Sequence, residues 1–361
     1  MSAKTFGSAM DRPLLEILVD PISKTPLQVE ADPLEGEDLI LEGLLKGSEG
    51  RSYPVTNGIP RFVLTKDADQ AQTGHSFDFK WRQRNTYDSP HVHAAAQEWL
   101  VRRYGFDSTE GMRTFFASRR AVLDAGCGSG FSSSLWLSPS WRRQGRAEWF
   151  GVDISAAIDV AQERLGKIPG TSFIQGDILQ LPFREESFDT IFSEGVLHHT
   201  PSTEAALKSL VPLLEMGGQI LFYVYRKKAA IREFADDYIR GIISPLNPEE
   251  AWEALRPLTR LGKALSELHL EIEVPEDIPC LAIKAGRYDL QRLIYWHFLK
   301  SFWNESYTFD ENNHVNFDWY HPRYAHRHTE EELRRWCKEA GLRILHFDIE
   351  ESGFTIRAIR G

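Results

Sequence analysis

"LDAGCGSGFSS", Leu123–Ser133, is the stretch on which the fold turns. An apolar run ends in an acid, and glycines then fall at alternate positions, Gly126, Gly128 and Gly130. Glycine inside a regular element costs roughly 0.5–1 kcal/mol relative to alanine. Three so close together mark a main chain that turns tightly and is approached closely. "RAVLDAG" reads as a buried strand, and the glycines carry it into a helix. The N–H groups at such a helix start are expected to face a ligand.

Outward from this turn, strand and helix alternate. "AEWFGVDIS", "TSFIQGDI", "FDTIFSEG" and "QILFYVYR" read as strands. "SSSLWLSPSW", "AAIDVAQERLGKI" and "TEAALKSLVPLLEMGG" read as the helices between them, the last with a glycine stop. This alternation predicts a parallel sheet with helices on both faces. Open sheets of that kind bind ligands at the carboxyl ends of their strands. Dinucleotide sites use G-x-G-x-x-G, whereas the spacing here is G-x-G-x-G behind Asp124. An acid so close repels a pyrophosphate and suits an ammonium and a sulfonium, which favours S-adenosylmethionine over NAD. Asp153 ends the second strand, beside Ile154, where a carboxylate can accept both ribose hydroxyls. Asp177 follows the third strand and is placed for an adenine amino group, with Ile178 against the ring. The backbone of Ser193 and Glu194, after the fourth strand, would lie beside the methionine portion.

The pieces "VLDAGCGSG", "GVDIS", "GDILQLPF", "FDTIFSEGVLHHT" and "LLEMGGQILFYVY" span residues 121–225. Together they resemble a class I S-adenosylmethionine-dependent methyltransferase of the group that includes the ubiquinone/menaquinone methyltransferases. The resemblance implies a seven-stranded sheet whose last strand is antiparallel, and "GFTIRAIRG" fits that strand. Near the N-terminus, "LVDPISKTPL" and "YPVTNGIPRFV" resemble the two ends of a Trm112-like domain. Zinc-binding members carry cysteines there. This chain has Asp20 and Ser23 at the first pair, and Gly50 and Ser52 around the second. Without thiolates no zinc is expected, nor any other metal, and the unit is expected to serve packing or dimerisation.

The expected architecture is therefore α/β, a Rossmann-like seven-stranded methyltransferase sheet. It carries a small N-terminal β-rich domain and a helical insertion after the fifth strand. The expected divisions are 1–66 for the Trm112-like unit and 67–118 for a linker and helical cover. The core follows at 119–226, an insertion forming a lid and acceptor pocket at 227–328, and the end of the core at 329–361. "TEEE", Thr329–Glu332, reads as a capping box that restarts the regular fold.

Methyl transfer needs an aligned acceptor, sometimes a base, and exclusion of water. His198 and His199, after the fourth strand, are candidate bases. In the insertion, "YWHFLKSFWNESYTF" places Tyr295, Phe298, Phe302 and Trp303 at helical spacing, which reads as core. "NFDWYHPRYAHRHT" reads as a lid over an acceptor pocket. Its Tyr320 and His321 are candidates for chemistry, and Trp319, Tyr320 and Tyr324 for acceptor binding. Tyr225 and Arg226, leaving the fifth strand, are expected to face the same cavity, with Arg226 suited to an acidic group. By resemblance to fused methyltransferases, "SFDFKW" lies across the cofactor mouth and brings Trp81 to the cofactor.

The chain has 361 residues, 42 basic and 52 acidic, for a net charge of -10. That balance argues against broad nucleic-acid binding. Three scattered cysteines suggest neither a disulfide framework nor a zinc cluster. No apolar run reaches the roughly 18 residues of a membrane span, and the first residues lack a signal-peptide pattern, so a cytoplasmic setting is expected. The expected function is methyl transfer from S-adenosylmethionine to a small or mid-sized metabolite at oxygen, nitrogen or carbon. The alternatives are a tRNA or protein methyltransferase, and a noncatalytic binder of the same cofactor.

Overall fold

The computed structural model describes residues 10, 12–30, 40–64, 67–137 and 148–361. A short helix, α1 (Arg12–Ile17), precedes an antiparallel sheet of β1 (Gln28–Glu30), β2 (Gly43–Lys46), β3 (Ser52–Thr56) and β4 (Ile59–Pro60). Three helices follow, α2 (Ala68–Arg82), α3 (Pro90–Arg103) and α4 (Thr109–Ala117). The central alternation runs β5 (Ala121–Ala125), α5 (Phe131–Ser134), β6 (Glu148–Asp153), α6 (Ala157–Leu165), β7 (Thr171–Gln175), β8 (Phe188–Glu194), α7 (Thr203–Leu210) and β9 (Leu214–Tyr225). Then come α8 (Ala230–Ile243), α9 (Pro248–Ser266), a hairpin of β10 (Glu271–Val274) and β11 (Gly286–Asp289), α10 (Leu290–His297) and α11 (Phe309–Tyr320). The helix α12 (Glu330–Glu339) and the strands β12 (Leu342–Ile349) and β13 (Gly353–Arg360) close the chain.

Seven strands form the central sheet in the order β12-β13-β9-β8-β5-β6-β7. Only β13 runs against its neighbours, as the resemblance implied. Strand β5 is buried along its whole length, which explains its unbroken apolar run before Asp124. Trp149, Phe116 and Phe192 fill one face of the sheet. On the other, Leu123, Phe150 and Ile174 share a single cluster with Leu14, Leu45, Tyr53 and Phe62 from the N-terminal sheet. That sheet continues the edge strand β7: the Phe62 N–H donates to the Gln175 carbonyl at 2.7 Å. Arg61 clamps Asp159 with contacts of 2.6 and 3.1 Å. An exposed sheet edge is thereby covered.

The capping box at Thr329 and Glu332 is reciprocal. Other expectations change. "TKDADQAQTG" is no linker in its described part, since Asp67 caps α2 by accepting from Asp69 and Gln70. Phe77, Phe79 and Trp81, despite alternating with polar residues, sit on that same helix. In "TEAALKSLVPLLEMGG" the helix stops at Leu210, before Pro212, and the strand begins at Leu214, because proline removes a donor and clashes with the preceding turn. The helix expected over "SSSLWLSPSW" is present to Ser134, and residues 138–141 of it lie outside the described residues. Both α4 and the β10–β11 hairpin were unforeseen. Among the described residues, no helix is long and apolar enough to cross a membrane.

The two turns of the N-terminal sheet are joined by a polar cluster. The Asp20 carboxylate is fully buried. It accepts from the Ile22 and Ser23 N–H groups at 2.9 Å, from Arg51 Nε at 2.9 Å and from the Tyr53 hydroxyl at 3.1 Å. Ser23 contacts Ser48 at 2.9 Å, so the facing partners are Ser48 and Arg51, not Gly50 and Ser52. Burial opposes ionisation of Asp20, yet the donors from Ser23 and Arg51 hold its carboxyl at about 2. We expect Asp20→Ala to cost about 1–3 kcal/mol by orphaning Arg51 and Tyr53, with Asp20→Asn less damaging. Thermal melting of the pair checks this, and an unchanged Tm for the alanine variant would remove the cluster's structural role.

Candidate functional site

A cavity of about 670 Å³ opens where β5, β6, β7 and β8 end. The helix α2 lies over its near side with Gln70, Gly74, Phe77, Lys80 and Trp81, and the segment between β9 and α12 closes the far side with Tyr295, Lys300 and Trp319.

The three glycines serve different ends. All have positive φ, of 86°, 54° and 71°, which glycine alone adopts without strain. Only Gly126 lines the cavity. A methyl group on Gly128 would meet Trp81 Nε1 at 2.5 Å, and one on Gly130 would meet Leu165 of α6 at 2.7 Å. So Gly128 lets the indole of Trp81 sit down on the turn, and Gly130 lets α6 approach. Four of the loop N–H groups are bonded within the protein rather than left for a ligand. Those of Gly126 and Cys127 go to the Val152 carbonyl, that of Gly130 to the Cys127 carbonyl, and that of Gly128 to Asp153 Oδ2 at 2.8 Å.

Asp124 does not reach the cavity either. It is 1% exposed and takes the Ser133 hydroxyl proton beneath the turn. Burial raises its carboxyl to about 7. The acid that fronts the cavity is Asp153, which also accepts from the Ser155 N–H and hydroxyl at 2.8 and 2.6 Å. A carboxylate offers about four lone-pair sites, so one remains. Asp177 lines the cavity and accepts from Gln70 Nε2 at 3.0 Å and the Leu179 N–H at 2.9 Å. Ile154 and Ile178 lie beside them. Glu194 also borders the space, but it is engaged by Arg103 and by the Tyr104 hydroxyl at 2.7 Å. The Ser193 side chain turns inward and donates to the Ala125 carbonyl at 2.8 Å.

The adjacent histidines diverge. His198 is fully buried against the Tyr225 ring at 3.7 Å between centroids, with neither ring nitrogen hydrogen-bonded. His199 lines the cavity, edge-on to Phe77. Its Nδ1 lies 2.6 Å from the Tyr324 carbonyl. A carbonyl only accepts, so Nδ1 carries the proton and Nε2 the lone pair. No group among the described residues takes that lone pair. Burial lowers His199 to about 4, so it is neutral at physiological pH.

Beside it, the Tyr225 hydroxyl donates to Asp318 at 3.0 Å, and Asp318 pairs with Lys80 at 2.5 Å. Burial opposes charge on Asp318, but Lys80 and His199 hold its carboxyl below the usual range. Trp319 lines the same wall. Four expected residues do not. The Tyr320 hydroxyl bonds Asp236 at 2.9 Å inside the helical layer. His321 bridges Ser76 at 2.7 Å and the Leu246 carbonyl at 3.1 Å. The Tyr324 hydroxyl donates to Asp67 at 2.9 Å. Arg226 turns towards Phe354. Each is satisfied by a partner elsewhere in the fold, which fixes it as a brace. Tyr295 and Phe302, read in the sequence as core, also line the cavity, and the residues overlooked there are Tyr223, Lys228, Trp296, Lys300 and Asp318; only the place of Lys300 among aromatics, in "HFLKSFW", could have drawn attention.

The donor set suits S-adenosylmethionine. Carboxylates with acceptor capacity left stand at two strand ends for hydroxyl and amino groups, apolar Ile154 and Ile178 flank them, and Lys80 nearby is already paired with Asp318. Among the described residues, a pyrophosphate would find no unpaired lysine beside the glycine turn.

Residues 123–222 match the family model described as a methyltransferase domain. A phthiotriol/phenolphthiotriol dimycocerosates methyltransferase of Mycobacterium ulcerans is 30% identical over 37% of this chain and 48% of its own length. A malonyl-[acyl-carrier protein] O-methyltransferase of Erwinia pyrifoliae is 34% identical over 28% of this chain and 36% of its own. Among solved structures, magnesium protoporphyrin IX methyltransferase of Synechocystis with bound cofactor superposes with a TM-score of 0.41 at 15% identity, covering 83% of this chain and all of that one. The chain spans about half the length of the curated relatives it matches. Between Leu123 and Phe222, around the glycine turn and the strand-end acids, this chain is similar to methyltransferase domains.

Proposed function

We propose that the protein is an S-adenosylmethionine-dependent methyltransferase acting on a small or mid-sized metabolite. One observation carries the proposal: a single cavity joins the strand-end carboxylates Asp153 and Asp177 to a chamber walled by His199, Tyr225 and Trp319. The bound cofactor would supply a methyl group on a positively charged sulfur. Asp153 accepts a ribose hydroxyl on its remaining lone pair, and a second one if the Ser155 hydroxyl gives way. Asp177 serves the adenine edge, with Ile178 against the ring. Trp81 and the rest of α2 keep water from the turn, which preserves the alignment that an in-line displacement needs.

His199 is the base in this scheme. Its Nε2 lone pair is free and its orientation is fixed by the Tyr324 carbonyl, so it takes a proton from the acceptor as the methyl group arrives. His198 supports it by packing and has no place in the chemistry. An acceptor enclosed by aromatic side chains is a discrete molecule rather than a duplex. We read the core as akin to the ubiquinone/menaquinone methyltransferases on the strength of "FDTIFSEGVLHHT". We read residues 1–66 as Trm112-like, a unit that covers the β7 edge.

Two outcomes test these roles. Asp153→Ala should weaken binding of S-adenosylhomocysteine about 10–100-fold, roughly 1.4–2.7 kcal/mol, by isothermal titration calorimetry. Full affinity in a folded variant would refute the cofactor assignment. Labelled cofactor and a metabolite extract should yield a labelled acceptor. Its rate at saturation should stay level from about pH 8 to 5.5 and fall below about 5, because His199 is lowered to about 4 and only the unprotonated ring is a base. An acid limb centred near 6.5, or full activity in His199→Gln, would exclude His199.

A further inference from the structure

Most cations around the cavity already have acids. Arg232 Nε holds Asp236 at 2.7 Å, Lys80 holds Asp318 at 2.5 Å, Arg102 holds Glu350 at 2.8 Å, and Arg103 holds Glu194. Three cations lining the far end have no ion pair among the described residues: Lys228, Arg292 and Lys300. Lys300 is the most telling. It is 7% exposed, and its Nζ has no hydrogen-bond acceptor among the described residues. It lies over the face of Trp319, 4.3 Å from the ring centroid, and Asp318 and Asp236 are near enough to favour its charge without pairing with it. Lys228 Nζ has the Ser352 carbonyl at 3.2 Å and the Trp296 ring at 5.3 Å. Arg292, exposed at the mouth, reaches only the Trp303 carbonyl at 3.5 Å and the Tyr295 ring.

A buried ammonium without a counter-charge is costly, and a fold has no structural need to collect several. Nearby acids do not answer the need. Asp318 is taken by Lys80 and Tyr225, and Asp236 by Arg232 and Tyr320. Burial brings Lys228 and Lys300 each down to about 7, and the Arg232 charge pushes both the same way. The two lysines line the same cavity.

We propose that this end of the cavity is an anion subsite, and that the methyl acceptor carries an oxyanion group, a carboxylate or a phosphate, held by Lys300 and Lys228. Arg292 faces the incoming anion at the mouth. Trp319 and Tyr225 flank the carbon framework, towards His199. The subsite rests on the methyltransferase reading for its role, but not for its chemistry. It also moves the acid-binding duty expected of Arg226 to Lys228, two residues further on.

The test uses the full-length protein, with and without S-adenosylhomocysteine, titrated calorimetrically at constant ionic strength. The probes are benzoate, phenyl phosphate and neutral benzamide. The expected result is that at least one anion binds about tenfold or more tightly than benzamide; which one does identifies a carboxylate or a phosphate acceptor. Lys300→Met should remove most of that preference and leave benzamide and S-adenosylhomocysteine affinities unchanged. Lys228→Met, at a less buried position, should reduce it too. Proton uptake should accompany anion binding at pH 7.5, seen as a dependence of the heat on the buffer. Equal binding of charged and neutral probes, no binding of either anion, or an undiminished preference in both methionine variants would overturn the subsite. Failure of S-adenosylhomocysteine to bind would instead sink the methyltransferase reading, while the anion preference of the free protein would still decide the subsite.

Discussion

The hydrogen bond from the Gly128 N–H to the Asp153 carboxylate, 2.8 Å long, is the contact on which the site depends. It ties the turn after β5 to the end of β6. The carboxylate is largely buried, and burial pushes its pKa upward, towards the neutral form. The Gly128 and Ser155 donors oppose that shift, as donors to an ionised acceptor do. The turn cannot relax without orphaning that group, and the group cannot move without loosening the turn. Trp81 pressing on Gly128 from above and Leu165 on Gly130 from below leave the main chain no alternative path. The cofactor mouth is thus shaped by what its glycines exclude rather than by the N–H groups they offer.

The far half of the cavity obeys different physics. The helix α11 buries Glu311, Asn312, Asn313, His314 and Asn316. Asn313 accepts from the Thr259 hydroxyl at 2.7 Å, and Asn316 Nδ2 donates to that hydroxyl at 2.9 Å. Asn312 donates to the Asn304, Tyr307 and Thr308 carbonyls. Such a layer is held by directed hydrogen bonds, and a satisfied buried network fixes one arrangement more sharply than apolar packing does. That rigidity suits a wall that must hold unpaired lysines beside a ligand.

This contrast explains what was legible in the sequence. The central strands bury apolar side chains in unbroken runs, so each could be read as a strand from "RAVLDAG" to "GFTIRAIRG"; that the sheet has seven strands with the last antiparallel was implied by the resemblance to the methyltransferases, and the order of the strands in it comes from the structure. Asp153 and Asp177 could be placed because a strand end is a position, and position follows from the strand. Asp124 was placed correctly along the chain but not around it; on β5 its side chain turns under the loop to Ser133. Helices that bury polar groups leave no apolar period, so α11 and its neighbours looked irregular. Tyr320, His321 and Tyr324 drew notice as aromatics near a proline. Their partners, Asp236, Ser76 and Asp67, lie at least 84 residues away in sequence, and no local pattern reports them.

His198 and His199 show how finely the two halves are joined. They share one 3-10 turn, yet one ring is sealed against Tyr225 and the other faces the cavity. The difference comes from the returning chain. The Tyr324 carbonyl takes the His199 Nδ1 proton, and the His326 N–H donates to the His198 carbonyl at 2.9 Å. Two residues of the closing segment therefore grip two consecutive residues of the core. The tautomer of the cavity-facing ring is set by a main-chain group, which does not titrate. Any change in the insertion that shifts Tyr324 would reach His199 directly, before it altered a single contact at the glycine turn. On the proposed reading, acceptor chemistry would be coupled to the insertion, and cofactor binding to the sheet.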